Sequence, residues 1–169
     1  MDFQIGDKVV YPNQGVGVVE QISTRNLTGE PETFYLLRLN ASSLRVMVPM
    51  SNVASVGLRK VAKNSEIGSI LQFLQKGRCK AAQDWKGRFK QNSEKMRTGT
   101  LQQVAEVFKT LVVLSQAKPL SFREKKMLDR SSQLLLDEIA IARGMSKEEA
   151  ESQLVKAVTK SNLKVALPS

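Results

Sequence analysis

The stretch "IGDKVVYPNQGVGVVEQI", residues 5–22, decides the fold of the first part of the chain. Two short runs rich in valine flank the turn "NQG", a pattern that is typical of two antiparallel strands. Gly15 and Gly17 permit a sharp bend or a close approach between strands, because glycine has no Cβ atom. The stretch therefore predicts the start of a small β domain.

Further runs of the same kind continue to residue 57. "TFYLLRL" and "LRVMVP" are rich in Val, Leu, Phe and Tyr, and the turns "NLTGEPE" and "NASS" precede them. Thr28-Gly29 suits a reverse turn, and Pro49 fits a strand end. We predict four or five short antiparallel strands. So few strands bury little surface unless the sheet curls, which favours a small SH3-like or Tudor-like barrel.

The hydrophobic period becomes helical from about Ser65. Three capping boxes mark helix starts, because in each box two side chains satisfy free amide groups of the first turn. We predict five helices packed as one domain, with Asp84 capping the second helix and Gly99 ending it. The boxes pair Thr100 with Gln103, Ser121 with Glu124, and Ser146 with Glu149, and the other two helices cover 65–75 and 84–97. The fourth helix runs from Ser121 toward Arg143 and stops at Gly144.

Apolar residues at helical spacing predict which faces of two helices are buried. The two sets are Leu101, Val104, Ala105, Phe108, Leu111 and Val112, and Ala150, Leu154, Ala157 and Val158. The predicted class is α+β, with a β domain at 1–57, a linker at 58–64, a helical domain at 65–160 and a tail at 161–169.

Composition excludes several classes of protein. A chain of 169 residues with 41% hydrophobic content suits one or two small soluble domains. No unbroken apolar run reaches the roughly 18 to 20 residues of a membrane span, and the N-terminal sequence lacks a secretion signal, so we expect a cytoplasmic protein. Cys79 is the single cysteine and histidine is absent, which excludes an internal disulfide and a Cys/His metal site.

Positive charge is concentrated in the C-terminal part of the chain. Residues 1–57 hold four basic and five acidic side chains, whereas residues 58–169 hold 22 basic and 11 acidic ones. Residues 76–97 alone carry eight basic side chains against two acidic ones. This density indicates a polyanionic partner, but solvated basic helices are also common, so charge alone leaves nucleic-acid binding open.

No catalytic group stands out. Without histidine there is no Ser-His-Asp triad, no Cys-His pair and no HExxH zinc helix. Phosphate-binding loops of the GxxxxGK[ST] and GxGxxG kinds are absent as well. The acidic residues Asp137, Glu138 and those at 148–151 lie in helical segments, where we interpret them as solvated faces. We therefore expect no enzyme activity, no cofactor and no metal.

Trp85 is the single tryptophan and lies in the basic stretch "DWKGRFKQN". On a helix it shares a stripe with Phe89, Asn92 and Met96, so the ring could begin an apolar core face. In the first helical turn it could instead project past the helix end, with Arg88 one turn on, and stack on a base. The stretch alone leaves both interpretations open.

The opening stretch together with "LRVMVP", "DWKGRFKQN" and the later "SFREKKML" resembles the CarD/CdnL family of bacterial transcription regulators, over roughly residues 1–160. The resemblance implies a Tudor-like N-terminal domain that docks on the β subunit of RNA polymerase, a module also found in the transcription-repair coupling factor. It further implies a helical domain that lies on promoter DNA at the upstream edge of the melted −10 region. There a tryptophan wedges into the minor groove and stabilises the open complex.

The resemblance assigns residues of this chain to two interfaces. Those that correspond to DNA contacts are Trp85 as the wedge, with Lys86, Arg88, Lys90 and Lys125 on the phosphates. Those that correspond to the polymerase-facing positions are Arg25, Leu27, Met47 and Pro49.

Two positions depart from the family pattern. Gln14 stands where many members have a histidine, which concerns only the turn. Met47 stands where some members have an arginine, so an apolar contact replaces a charged one and docking should depend less on salt. Judged without the resemblance, Met47 fits a sheet-face residue, and Arg25 and Lys125 fit solvated surface residues.

We expect a monomeric, non-enzymatic regulator of transcription initiation. Its partners are the β subunit of RNA polymerase and promoter DNA, recognised largely without regard to sequence, and no membrane is involved. An RNA-binding or ribosome-associated module is the alternative, because SH3-like barrels joined to basic helices suit that role as well.

Overall fold

The computed structural model describes residues 2–26, 29–76 and 85–160, and for Trp85 the backbone alone. The chain divides into two compact units, Met1–Val61 and Ala62–Ser169. The first unit is built on an antiparallel sheet and the second consists of helices, so the predicted α+β class is confirmed. Several predictions fall outside the described residues, namely those for Leu27, Thr28, Cys79, Asp84 and the tail at 161–169.

The first unit contains a five-stranded antiparallel sheet with the strand order β4-β3-β2-β1-β5. A 3-10 turn at Met50–Asn52 and a short helix, α1 (Val53–Val56), join β4 to β5. The strands are β1 (Lys8–Tyr11), β2 (Gly15–Asn26), β3 (Pro31–Leu39), β4 (Arg45–Pro49) and β5 (Arg59–Lys60). The four runs that alternate in the sequence thus form β1 to β4.

The fifth strand lies within the predicted linker. Arg59 and Lys60 pair with Val10 and Val9 of β1, and the Val61 amide donates to the carbonyl oxygen of Lys8 at 3.3 Å. The first unit therefore extends to Val61, beyond the predicted end at residue 57. Two residues are too few to show an alternating pattern, so the sequence gives no signal for this strand.

Two local features of β2 fit its sequence. A Cβ atom at Gly17 would lie 2.8 Å from the carbonyl oxygen of Arg38, so the close approach of β3 requires glycine there. The pairing of β2 with β3 shifts between Val19 and Gln21, which is a β-bulge. Because the bulge adds one residue, Val19 and Ile22 both face the core although three positions separate them.

The core of the first unit is centred on Tyr35. The ring of Phe3 meets the Tyr35 ring edge-on at 5.4 Å between centroids, and the Phe3 amide donates to the Tyr35 hydroxyl oxygen at 3.1 Å. This second contact gives the buried hydroxyl a hydrogen-bond partner, which a buried polar group requires. The buried apolar residues of this core are Phe3, Val9, Val19, Tyr35, Leu37, Val48, Val53 and Leu58.

The described residues of the second unit form five helices, as predicted: α2 (Asn64–Lys76), α3 (Trp85–Thr98), α4 (Leu101–Ala117), α5 (Phe122–Arg143) and α6 (Lys147–Thr159). The three predicted capping residues, Thr100, Ser121 and Ser146, each accept a hydrogen bond from the amide three residues on. Gly99 and Gly144 adopt the left-handed conformation, with φ of 69° and 61°, at the ends of α3 and α5. These helix boundaries confirm the local predictions.

Both predicted apolar faces are buried, but α4 is buried over much more of its circumference. Val107, Lys109 and Thr110 are also buried, which makes α4 the central helix of the unit. The Lys109 ammonium donates to the carbonyl oxygens of Phe73 and Leu74, at 3.0 Å each. These carbonyls belong to the last turn of α2, where a helix leaves acceptors without internal partners, so a buried cation is stabilised there.

Glu138 corrects one prediction. The sequence suggested a solvated face, but Glu138 is buried and its Oε2 accepts from the Ala62 amide at 2.9 Å. The carboxylate therefore holds the first residue of the helical unit to α5. Glu148, Glu149 and Glu151 are exposed on α6, in agreement with the prediction.

Candidate functional site

The first two turns of α3 and of α5 carry exposed basic side chains, and α5 adds one exposed ring. Phe122 is the first residue of α5 and is 71% exposed, the largest exposure among the large hydrophobic residues that the structure describes. We call this group the α3–α5 surface. It comprises Lys86, Lys90, Phe122, Arg123, Lys125 and Lys126, all of them exposed.

Arg88 does not belong to this exposed surface, although the sequence assigned it to a phosphate. That contact stays a prediction. Its side chain is 3% exposed and pairs with Glu124, also 3% exposed. Arg88 Nε donates to Glu124 Oε2 at 2.8 Å, and a second guanidinium nitrogen donates to Oε1 at 3.1 Å. A two-point contact between a guanidinium and a carboxylate is the strongest form of this ion pair. The cation is therefore committed to a protein partner.

Glu124 is held by the start of its own helix as well. Its amide donates to the Ser121 hydroxyl oxygen at 3.2 Å, and that hydroxyl donates to Glu124 Oε1 at 3.2 Å. The hydrogen bonds from Arg88 lower the pKa of the Glu124 carboxyl below its ordinary value, burial opposes them, and Ser121 lowers the pKa further. The carboxylate is thus charged at neutral pH and fixed to the first turn of α5.

A second contact joins the same two helix starts. The Arg123 guanidinium of α5 lies over the Phe89 ring of α3, 5.8 Å from its centroid. The Lys126 ammonium lies 4.6 Å from the centroid of the Phe122 ring, within α5. Such cation–ring contacts hold a cation in place while it stays accessible to solvent.

The cations of α3 differ in whether a described carboxylate pairs with them. The cations paired with carboxylates are Arg88 with Glu124, Lys95 with Glu106 at 3.1 Å, and Arg97 with Glu94. Among the residues that the structure describes, Lys86 and Lys90 have no acidic partner within 4.0 Å, and the same holds for Lys125 on α5. The positive charge that is open to a ligand therefore lies toward the first half of α3.

The predicted stripe on α3 is confirmed in part. Met96 is buried in the helical core and Asn92 is buried as well, whereas Phe89 is only half-buried beneath Arg123. Trp85 begins the helix, but its side chain lies outside the described residues. Whether the ring projects from the helix start stays a prediction.

The second candidate surface is the face of the sheet opposite the core of the first unit. Cross-strand partners point to the same face, and Leu36 pairs with Gln21 and with Met47, while Phe34 pairs with Pro49. We call this the outer sheet face. Its residues on the three strands are Gln21, Ser23 and Arg25 of β2, Glu32, Phe34 and Leu36 of β3, and Met47 and Pro49 of β4.

The outer sheet face thus brings together three of the four residues predicted to face polymerase. Arg25 and Met47 are exposed, and Pro49 is half-buried at the end of β4. The fourth, Leu27, lies outside the described residues. β4 is an edge strand, so its outer backbone groups are open to a partner. At one side of this face, Glu20 forms ion pairs with Arg38 and Arg45 at 3.3 and 3.2 Å.

Sequence reasoning missed several residues of these surfaces. Phe122 carries one usable signal in the sequence, because it is an apolar residue directly after the helix cap Ser121. In the structure it is 71% exposed and therefore lies off the buried face. Leu36 and Phe34 carry no such signal, because the run "TFYLLRL" is apolar at consecutive positions and both faces of the strand therefore resemble core. Glu124 was predicted as a capping residue, and its partner Arg88 could not be read from local spacing.

The described part of the chain contains neither a helix suited to cross a membrane nor a cluster of metal ligands. No helix there is long and apolar enough to cross a membrane. No group of three or more His, Cys, Asp or Glu residues there is placed to hold a metal ion.

Two family models match the chain, one for each unit. Residues 3–62 match the CarD-like/TRCF RID domain, and residues 69–155 match the C-terminal domain of CarD. YdeB, a candidate transcription factor of Bacillus subtilis (strain 168), is 34% identical over 150 residues, which are 89% of this chain and 98% of YdeB.

Two solved structures are similar to the first unit. One is the solution NMR structure of the 72-residue N-terminal domain of Myxococcus xanthus CarD, which is 41% identical, covers 35% of this chain and 79% of that chain, and has a TM-score of 0.31. The other is CdnLNt from Myxococcus xanthus, which is 44% identical, covers 36% of this chain and 86% of that chain, and has a TM-score of 0.32.

The sheet unit, the basic helical unit and the two family models define a two-domain protein of the transcription-regulator class. The chain belongs to the CarD/CdnL family, as its resemblance predicted. Membership supports a role in the regulation of transcription.

Proposed function

We propose that this protein acts at transcription initiation by binding the β subunit of RNA polymerase through its first unit and promoter DNA through its second. The DNA contact lies at the upstream edge of the −10 bubble and stabilises the open complex. The observation that carries the proposal is the α3–α5 surface, where Lys86, Lys90 and Lys125 are exposed and have no acidic partner among the described residues. The protein acts by binding alone, in the cytoplasm and at the nucleoid.

The chemistry of the α3–α5 surface suits a nucleic acid whose bases are partly unstacked. Lys86, Lys90 and Lys125 are exposed and can each meet a phosphate, which positions a protein on DNA without reading its sequence. Trp85 begins α3 beside these cations, where a flat ring can stack on a base or separate a base step. Phe122 adds an exposed ring to the same surface.

The outer sheet face suits a protein partner. It combines the exposed Met47 and the half-buried Leu36 and Pro49 with the charge of Arg25 at one end. A small apolar area with a charged margin is the usual composition of a protein interface. Docking there supplies the affinity that DNA binding alone lacks, because tethering raises the concentration of the helical unit at the promoter.

Stabilisation of the open complex requires that the protein binds open DNA more tightly than closed DNA. A stacked aromatic ring is worth about 1 to 3 kcal/mol per base, so Trp85→Ala should shorten the lifetime of the open complex by about 5- to 150-fold. Trp85→Phe keeps a flat ring and should preserve most of the lifetime. The lifetime is measured after addition of a DNA competitor, and a normal lifetime with Trp85→Ala would exclude the wedge.

Polymerase docking is tested separately by co-purification. Arg25→Glu reverses a charge on the outer sheet face and should abolish recovery with RNA polymerase while the helical unit stays folded. Lys60→Glu, an equal charge reversal on β5 at the other edge of the sheet, should not change recovery. If the wild type recovers ribosomes and no polymerase, the protein is instead an RNA-binding or ribosome-associated module.

A further inference from the structure

We infer that Arg88 and Glu124 form a positioning pair, which fixes the start of α3 to the start of α5 so that the two helix starts present one DNA-binding surface. This inference rests on the proposed function. In this inference Arg88 acts by holding Glu124 and does not itself contact DNA.

The geometry of the pair supports a role in positioning. The guanidinium and the carboxylate meet at two points, at 2.8 and 3.1 Å, and a two-point contact fixes both distance and orientation. Both side chains are buried, so solvent does not compete for the contact. Ser121 ties the carboxylate to the first turn of α5 at the same time, so Arg88 is fixed relative to that turn.

A neighbouring contact between the same two helices has its cation on α5 instead of α3. In the ion pair α3 supplies the cation and α5 the acceptor. At the residue after Arg88 and the residue before Glu124, α3 supplies the Phe89 ring and α5 supplies the Arg123 cation. Two crossed contacts at adjacent positions prevent a sliding or a rotation that either contact alone would allow. The starts of the two helices are therefore held in one arrangement.

The cations that remain exposed lie next to this connection in the sequence. Lys86 and Lys90 stand two residues before and two residues after Arg88, and Lys125 follows Glu124 directly. Trp85 precedes Arg88 by three residues, about one helical turn. Loss of the pair would therefore misplace Trp85 and the phosphate contacts together, although it removes no group that touches DNA.

The test is a double-mutant cycle with Arg88→Met, Glu124→Gln and the double variant, in the full chain with RNA polymerase and promoter DNA. It is run at a temperature at which circular dichroism shows that every variant is folded. Each single variant should shorten the open-complex lifetime by about 5-fold or more, approaching Trp85→Ala, and the double variant should be no worse than either. Arg88→Lys keeps the charge but loses the two-point contact, and should give an intermediate lifetime.

The salt dependence of DNA binding distinguishes positioning from direct contact. If Arg88 touches no phosphate, Arg88→Met should leave the slope of log affinity against log salt unchanged. A slope that falls by about 0.9 for Arg88→Met and stays unchanged for Glu124→Gln would show a direct contact and overturn the inference. So would a normal lifetime with Glu124→Gln.

The fluorescence of Trp85 tests the inference without polymerase or DNA, because Trp85 is the single tryptophan of the chain. In the free protein, Arg88→Met and Glu124→Gln should both give faster local depolarisation of Trp85. Glu94→Gln, which breaks the exposed ion pair of the same helix, should not. Failure of the proposed function would appear as a normal lifetime with Trp85→Ala, whereas failure of this inference would appear as unchanged depolarisation in all variants.

Discussion

Two ion pairs of the same chemical kind lie on α3 and differ in their surroundings. Arg88 and Glu124 are each 3% exposed, whereas Arg97 and Glu94, which are three residues apart on the helix, are 68% and 61% exposed. The first pair joins two helices, and water competes little for it because it is buried. The second pair lies within one helix and is exposed to solvent. A count of charges in the sequence treats the four residues alike.

The difference shows how a basic stretch differs from a basic surface. Eight basic side chains in residues 76–97 suggested a strong field along the whole stretch. In the structure, three of the five basic residues of α3 have carboxylate partners, one of which comes from α4 and one from α5. Lys86 and Lys90 have no such partner among the described residues, so we propose that a polyanion binds α3 there.

The largest expected effect is the difference in unfolding free energy between a variant of the buried pair and the matching variant of the exposed pair. Arg88→Met leaves a buried carboxylate without its counter-charge, which costs about 3 to 5 kcal/mol of unfolding free energy. Arg97→Met removes an exposed pair that water and salt already screen, so we expect no measurable change. Urea unfolding followed by circular dichroism measures both. Equal stability of the two variants would show that the burial of Arg88 has no energetic consequence.

A smaller effect should appear in the dependence of stability on pH. The pKa of the Glu124 carboxyl is lowered in the folded state, so its contribution is present above the pKa of the unfolded chain, about 4.3, and is lost as pH falls toward the folded pKa. The advantage of the wild type over Glu124→Gln should therefore be constant near neutral pH and shrink in this acidic range.

Glu94→Gln is the matched control for this titration. The pKa of the Glu94 carboxyl is also lowered, chiefly because Arg97 donates hydrogen bonds to it. Because the pair is exposed, any pH dependence that it contributes should vanish at about 1 M salt, where charges are screened beyond about 3 Å. The effect of Glu124 should survive that salt concentration. Equal salt sensitivity of both would contradict the burial of the Arg88–Glu124 pair.

Local patterns predicted much of this fold, because many of its determinants are local. Ser121 caps α5 through an amide three residues on, and Gly144 ends the same helix by its own conformation. The buried face of α4 follows from the helical spacing of its apolar residues alone. Arg88 and Glu124 are 36 positions apart, and Ala62 and Glu138 are 76 apart, so no window of the sequence shows either contact. For this reason the sequence assigned Arg88 to DNA and gave no sign of its buried partner Glu124.

The smallest expected effect concerns the free and the paired lysine of α3. Lys90 is exposed without an acidic partner in the described part of the chain, whereas Lys95 pairs with Glu106 at 3.1 Å. Each phosphate contact contributes about 0.9 to the slope of log affinity against log salt. Lys90→Gln should therefore lower the slope by about that amount, and Lys95→Gln should leave it unchanged. Fluorescence titration of DNA at several salt concentrations gives both slopes. An equal decrease for the two variants would mean that DNA displaces Glu106 from Lys95, and the binding surface would then extend along the helix beyond its first half.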